Sequence, residues 1–391
     1  MEYIEPVDWA GQDVVVIGSG PAGLACAAEL GALGVSVVVL EKGETIAAAW
    51  ATRHDGLRFN TSRLHSALPG APFPRSFGQF PSRDQYVGYL KAYAQDRGVQ
   101  VELGCEVVGL EPGHGGGWVV DTVTGRRLAR HVVVATGIYR DPVIPSWARG
   151  ADRGIPVMHS VEYRNAVPFE GRDVVVVGAG STGMEMAWEL AQAGAGAVYL
   201  SVRTPPNVLL RVMGGLPGDL PVPLFLHLPT ALVDAALRRL QRVVIGDLAP
   251  YGLPAPAEGV IAGLKRRGAG TAIVDGEVLD AIREGAISVV PAVTALQSRA
   301  AVLSDGTRLP VDAVLLATGF TPGLDRLVGQ LGVLDADGMP WDGAGAELRP
   351  GLRFVGYVYR PGLTGLVGKM AKRVARDIAG RQPALTVGSA G

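Results

Sequence analysis

The stretch VVVVGAGSTGMEMAWEL (174–190) decides the fold, because it repeats the pattern of VVVIGSGPAGLACAAEL (14–30): an apolar run, a glycine-rich turn and a run of helix formers. One G-x-G-x-x-G says little in a chain with 55 glycines. Two copies in matching strand-to-helix contexts predict two dinucleotide-binding units. In the first, Gly18 permits the tight turn, Gly20 lets backbone approach a pyrophosphate, and Gly23 allows the helix opened by Pro21 and Ala22 to pack closely on its strand. In the second, Gly178, Gly180 and Gly183 repeat that geometry around Ser181 and Thr182. Each helix N-terminus offers N–H donors and the positive end of its dipole.

Working outward, the runs VSVVVLE (35–41), HVVVATG (131–137), AVYLSVR (197–203) and DAVLLATG (312–319) are apolar on both faces, as strands buried inside parallel sheets are. The segments joining the paired runs are rich in helix formers and close on glycine, which suits βαβ crossovers. The fold class is therefore α/β. The strand after the first turn ends in Glu41, followed by Lys42, at the spacing expected of the carboxylate that accepts from an adenosine ribose hydroxyl. The strand after the second turn ends instead in Arg203. A guanidinium there suits a 2′-phosphate, with a solvated surface arginine as the alternative. These ends predict a dinucleotide with a free ribose in the first turn and NADPH in the second; FAD is the natural first occupant, because hydride passes between the two.

Ala135-Thr136-Gly137 and Ala317-Thr318-Gly319 each end a buried strand in small residues and bracket the second unit. This arrangement predicts two Rossmann-like domains, the NADPH domain inserted into the FAD domain. The expected FAD-binding parts are residues 1–150 and 307–391, the latter carrying a C-terminal helix, with the NADPH-binding domain over 151–306. A Pro-rich insertion lies near 204–256. In it Thr230 reads as a helix cap, with Leu232, Ala236, Leu240 and Val244 on one face. That face is expected to point into the core, a cavity wall or membrane-surface contact being the alternatives. The last residues, RQPALTVGSAG, read as a frayed tail.

Composition narrows the partners. With 36 basic and 37 acidic residues and no long like-charge run, nothing suggests nucleic acid or an anionic membrane. Cys26 and Cys105 lie far apart, outside any C-x-x-C, which argues against a disulfide framework, a zinc site or a redox-active dithiol. No metal cluster or catalytic triad is visible. The N-terminus lacks a signal-peptide pattern and no apolar run reaches the ~18 residues of a membrane span. A cytoplasmic protein with small-molecule partners is expected; the oligomeric state stays open.

The residues between the glycine motifs then resemble the flavin-containing monooxygenases, most closely the YUCCA type and its bacterial relatives. The resemblance runs through GSGPAGLA, PGAPFPRSFGQFPSRDQYVGYLKAYA (69–94), VVVATGIYRDPVIP, VMHSVEYRN (157–165), VVGAGSTGMEMA, GDLAPYGLPAPAEG (246–259), ISVVP and LLATGFTP, nearly the whole chain. One departure stands out. The fingerprint F-x-G-x-x-x-H-x-x-x-[FY] aligns on His159 and Tyr163, but its Phe and Gly positions hold Arg153 and Ile155. Ser181-Thr182 also replaces the Asn-Ser that the family favours.

The resemblance implies that NADPH reduces FAD, that reduced flavin takes up O2 as a peroxide adduct, and that the adduct gives one oxygen atom to a small substrate. It implies roles for single residues too. Asn60, in LRFNTSRLHSALPG, is the candidate hydrogen-bond donor near the flavin ring, with a loop-turn asparagine as the alternative. His159 orients the linker between domains or contacts the nicotinamide nucleotide; a merely structural histidine is equally open. Trp50 walls the flavin or its adenosine, or is ordinary core. Val107 matches the position whose backbone meets adenine, and Leu363, in the GLTGL that opens the last helix, lies where N–H groups aim at the flavin. By the same resemblance the substrate is a 2-oxo acid such as indole-3-pyruvate, with N- or S-oxygenation and Baeyer-Villiger insertion as alternatives. Arg211 is a candidate receptor for a carboxylate, solvent contact being the other reading. A flavoprotein reductase without oxygenation and a non-catalytic nucleotide-binding redox sensor remain the competing functions.

Overall fold

The computed structural model describes residues 12–149, 154–267, 271–297, 299–360 and 362–380. Arg153, the N-terminal segment and the tail from 381 lie outside them. The expected runs build two sheets. The first is 8-stranded. It contains β1 (Gln12–Ile17), β2 (Val37–Leu40), β3 (Val101–Glu102), β4 (Val107–Pro112), β5 (Trp118–Thr122), β6 (Gly125–Val134) and the strands Ala344–Arg349 and Leu352–Val355. Its central strands are parallel: β1 lies between β2 and β6, and Leu352–Val355 follows on the far side of β6. Val14, Val15, Val16, Val39 and Val132 are buried because both faces of this sheet are covered. Helices Pro21–Gly31 and Leu363–Ala379 pack on one face; Leu110, Trp118 and Leu324 close the other.

A short β7 (Asp141–Pro142) leaves this sheet. The second sheet is 5-stranded and parallel, in the order Ser288–Pro291, β10 (Val198–Val202), β9 (Val174–Val177), Ala313–Leu316 and β8 (Val157–His159). Strand Ala313–Leu316 therefore sits inside the second sheet, between β9 and β8, and the chain returns to the first sheet only beyond it. The return segment Phe320–Thr321 pairs antiparallel with β7, so the two crossings form one ribbon. This puts the crossing after Gly319 rather than at residue 307. An all-apolar run such as AVLL fits either sheet equally well, so its pattern alone does not choose the partner.

The insertion differs from expectation in one respect. Helix Thr230–Val244 buries Val233, Asp234 and Leu237, while Leu232, Leu240 and Val244 are 69%, 40% and 44% exposed. The stripe read as core-facing is the outer face. Asp234 accounts for the choice: its carboxylate accepts from the backbone N–H groups of Ile261 (2.7 Å) and Ala262 (3.1 Å), at the start of helix Val260–Arg267, and so turns the adjoining face inward. Thr230 is the first helical residue, and its hydroxyl accepts from Lys265 Nζ at 2.8 Å instead of capping the helix.

Both cysteines are buried, Cys26 at 0% and Cys105 at 3% exposure. Burial, helped by the Glu29 charge, pushes the Cys26 thiol up to about 12. A thiol-specific reagent at pH 8 should therefore label neither cysteine in the folded protein and both after unfolding. Rapid labelling of the native chain would overturn that expectation.

Candidate active site and nucleotide turns

The two glycine turns are built alike. Gly18 and Gly178 adopt φ of +101° and +113°, and a Cβ would lie 2.8 Å from the Ala135 carbonyl oxygen in the first and 2.5 Å from that of Ala317 in the second. A Cβ on Gly23 would sit 1.9 Å from the Gly18 oxygen, and one on Gly183 1.8 Å from that of Gly178. These four positions exclude side chains because of the protein's own backbone. Gly20 and Gly180 differ: a Cβ there would meet nothing within 4 Å, and both have ordinary extended backbone. Both positions border open space. Neither helix N-terminus carries a side-chain cap, so its first N–H groups face that space without a protein partner from the capping position. The residues fit a pyrophosphate at each turn.

The same contacts give the ATG segments their place. Ala135 N–H donates to the Ile17 carbonyl and Ala317 N–H to that of Val177, each at 2.9 Å, so each segment lies against its own glycine turn. Thr136 is held by Tyr357, whose hydroxyl lies 3.1 Å from the Thr136 nitrogen and 2.8 Å from Oγ1. Thr318 Oγ1 donates to the Val143 carbonyl at 2.5 Å, and Gly137 and Gly319 both adopt φ +87°.

Glu41 is 8% exposed. Its Oε2 accepts from the backbone N–H (2.9 Å) and hydroxyl (2.6 Å) of Ser19, and its Oε1 from Gly43 N–H at 2.8 Å. A carboxylate has about four acceptor positions, so one remains for a ligand hydroxyl. Ser19, fully buried, was not singled out by the motif; its hydroxyl also accepts from Ala47 N–H at 2.9 Å and ties turn, carboxylate and loop together. Lys42, Thr182 and Arg203 are exposed, and Arg203 follows directly on β10. Ser181 Oγ accepts from Ile273 N–H at 2.9 Å.

The remaining candidates separate into groups. Trp50 packs its indole against Tyr86 (4.7 Å) and Phe59 (5.4 Å) in the aromatic cluster beneath the first turn. Val107, buried, opens β4, paired with Thr122 of β5. Leu363 opens the last helix from Gly362, at φ +71°, and packs between two core clusters. His159 is 2% exposed: its Nε2 lies 3.1 Å from the Gly319 carbonyl, and its Nδ1 accepts from Val161 N–H at 3.2 Å. Those partners fix the Nε2–H tautomer and occupy both nitrogens, and burial lowers its pKa. His159 thus locks the β8 end to the Gly319 turn.

Where the loop from His54 to Ser62 meets the second domain, the structure assembles residues the motifs did not point to. Glu185 and Glu189 lie one turn apart on helix Ser181–Gln192, which starts at the second glycine turn. Glu189 accepts from Tyr163 Oη at 2.9 Å and lies 3.2 Å from His54 Nδ1. Glu185 pairs closely with Arg211, whose Nη1 also donates to Asp275 at 2.6 Å and whose Nη2 donates to Asn60 Oδ1 at 3.2 Å. Arg211 is 5% exposed, which corrects the reading of solvent contact, and its charge is already matched by two carboxylates, which leaves it a poor receptor for a substrate carboxylate. Two glutamates at i and i+4 in an otherwise apolar helix are the sequence signal that could have found this cluster. Asp219 adds a second bridge, accepting from Ser62 N–H at 2.8 Å and Oγ at 2.9 Å, with His65 Nδ1 at 3.0 Å. Among the described residues no group of three or more His, Cys, Asp or Glu side chains could hold a metal, and no helix is long and apolar enough to cross a membrane.

Two matching glycine turns on two sheets whose central strands are parallel, joined by a paired crossing, have the architecture of a two-nucleotide oxidoreductase. A family model described as Pyridine nucleotide-disulphide oxidoreductase matches residues 15–207. The chain is 32% identical over 386 residues to the probable indole-3-pyruvate monooxygenase YUCCA3 of Arabidopsis thaliana, covering 94% of this chain and 86% of that protein. It is 35% identical over 387 residues to the indole-3-pyruvate monooxygenase YUCCA4 of Oryza sativa subsp. japonica, covering 94% and 87%. The solved flavin-containing monooxygenase from Stenotrophomonas maltophilia superposes with a TM-score of 0.71 at 25% identity, over 95% of this chain and 98% of that one. A steroid monooxygenase bound to NADP shares the fold with a TM-score of 0.75 at 18% identity, over 95% and 84%. The chain belongs to the class B flavin monooxygenases, in their YUCCA-like branch, and is an NADPH- and FAD-dependent oxidoreductase. Monooxygenases of this group imply a small-molecule substrate and O2.

Proposed function

We propose that this monooxygenase acts on a 2-oxo acid such as indole-3-pyruvate, by oxidative decarboxylation. The observation that carries the reading is the end-to-end likeness, over 94% of the chain, to proteins named for that substrate. The first turn would hold FAD, with the acceptor position left on Glu41 available to its ribose hydroxyl, and the second would hold NADPH, with Arg203 available to its 2′-phosphate. When bound, the flavin accepts hydride and activates O2. The chain's own part is to place the two nucleotides and exclude water. Asn60 would offer an amide N–H to the flavin ring; His159, both nitrogens engaged by backbone, positions the crossing and transfers no proton.

NADPH-dependent O2 uptake should rise on adding indole-3-pyruvate, with carbon dioxide released in step. If ketones, amines or sulfides stimulate uptake and the 2-oxo acid does not, the substrate reading falls while the enzyme class stands. The Arg203 role has its own test. Arg203→Ala should weaken NADPH binding by about 1.5 to 3 kcal/mol, roughly tenfold to a hundredfold, and leave NADH binding unchanged. An unaltered preference for NADPH over NADH would refute it.

A further inference from the structure

Arg211 lies in the Pro-rich insertion, yet three elements converge on it. Its backbone is fixed by its N–H to the Val274 carbonyl (2.8 Å) and by Gly218 N–H to its own carbonyl (2.9 Å). Its guanidinium stands 6.0 Å from the Phe80 ring centre and reaches Asp275, Glu185 and Asn60. A guanidinium only donates. Asn60 must therefore face it with the amide oxygen, and the Nδ2 end, which hydrogen-bonds to nothing among the described residues, is turned the other way. Glu185 in turn belongs to the helix that begins at Gly180, so Arg211 contacts both the NADPH-turn helix and the loop that carries Asn60. Burial lifts the Glu185 carboxyl to about 7 against the pull of Arg211.

We propose that Arg211 is a positioning residue for oxygenation: by holding Asn60 through its amide oxygen it fixes Nδ2 as the end offered to the flavin, and by holding Glu185 it couples that presentation to the NADPH domain. The proposal rests on the reading of Asn60 as the donor at the flavin. It gives the insertion a part in the chemistry without contact between Arg211 and substrate or cofactor. It also explains why a cation sits so close to the site while two carboxylates neutralise it. Without that bond the amide is free to flip, presenting an acceptor where a donor is needed.

The readout is the hydrogen peroxide released per NADPH oxidised at saturating substrate, a partition within each turnover that is insensitive to the amount of enzyme folded. Asn60→Asp keeps an acceptor for Arg211 but removes the N–H donor, and should raise the peroxide fraction. Arg211→Met combined with Glu185→Gln removes the buried pair together, so that no buried glutamate charge is stranded. This paired variant should raise the fraction by a similar factor, roughly tenfold if one charge-assisted hydrogen bond sets the amide's orientation. Adding Asn60→Asp to it should raise the fraction no further. Arg211→Lys, whose compact ammonium lacks the planar fork that reaches Asp275 through Nη1 and Glu185 and Asn60 through Nη2, should fall between. A readout that does not depend on turnover is the unfolding free energy, in which Asn60→Ala and the paired variant should be non-additive. If Asn60→Asp releases peroxide and neither the paired variant nor Arg211→Lys does, the Arg211 proposal is wrong and the Asn60 reading survives. If Asn60→Asp leaves the fraction unchanged, both fall.

Discussion

Gly183→Ala should leave a yellow protein that NADPH no longer reduces efficiently. A Cβ there would lie 1.8 Å from the Gly178 carbonyl oxygen and 3.1 Å from the Ala317 side chain, and backbone cannot swing aside as a flexible side chain can. Overpacking of this kind costs about 3 kcal/mol or more, so NADPH affinity should fall by roughly a hundredfold or more. The first sheet and its turn are untouched, so flavin should be retained. Gly180→Ala is the companion experiment. Its Cβ would meet no protein atom within 4 Å, so the unfolding temperature should hold while NADPH binding still weakens. A Gly180→Ala protein that binds NADPH like the parent would show that nothing approaches the turn as closely as a pyrophosphate must. Flavin loss from Gly183→Ala would place FAD at the wrong turn.

The second large effect is on stability. Glu189→Ala removes the acceptor of the Tyr163 hydroxyl and of His54 Nδ1, two buried polar atoms, one from each side of the domain junction. Leaving a buried donor unsatisfied costs about 1 to 3 kcal/mol, so the loss for the two should reach roughly 2 to 6 kcal/mol. Gly56 shows how closely the loop is fitted to this carboxylate: a Cβ on it would lie 2.0 Å from Glu189 Oε1. Denaturant unfolding measures the change directly. A loss below about 0.5 kcal/mol, the level of an ordinary surface substitution, would mean that water replaces the carboxylate at no cost. Glu189→Gln, which keeps one acceptor oxygen, should lose less than Glu189→Ala.

The local chemistry of each nucleotide turn could be read from the chain because it depends on residues close in sequence. A glycine five residues before another, after an all-apolar strand, has one compact arrangement, and Gly18 with Gly23 and Gly178 with Gly183 adopt it. Glu41 and Arg203 were found the same way, since each directly follows the strand that comes after its turn. The α/β class followed from runs buried on both faces. The wider resemblance added the enzyme family.

Partners brought together from distant parts of the chain were a different matter. The run 313–316 is as apolar as any other strand, so only the folded sheet shows it between β9 and β8 and moves the crossing past Gly319. The helix 230–244 is apolar on more than one face; Asp234, capping a helix 26 residues on, decided which face turned inward. Ser19 and Tyr357 carry no motif, yet each fixes a turn by hydrogen bonds that span 22 and 221 residues. Arg211 is the plainest case. In sequence it is one arginine in a proline-rich tract, and its meaning arises because Asn60, Glu185 and Asp275, from three other segments, lie within reach of one guanidinium. The sequence by itself determined the shape of the two glycine turns and the residue that follows each next strand, because backbone sterics and strand geometry are local. Only the tertiary structure decided which side chains surround Asn60, because a buried charge takes whatever partners the packed domains bring to it.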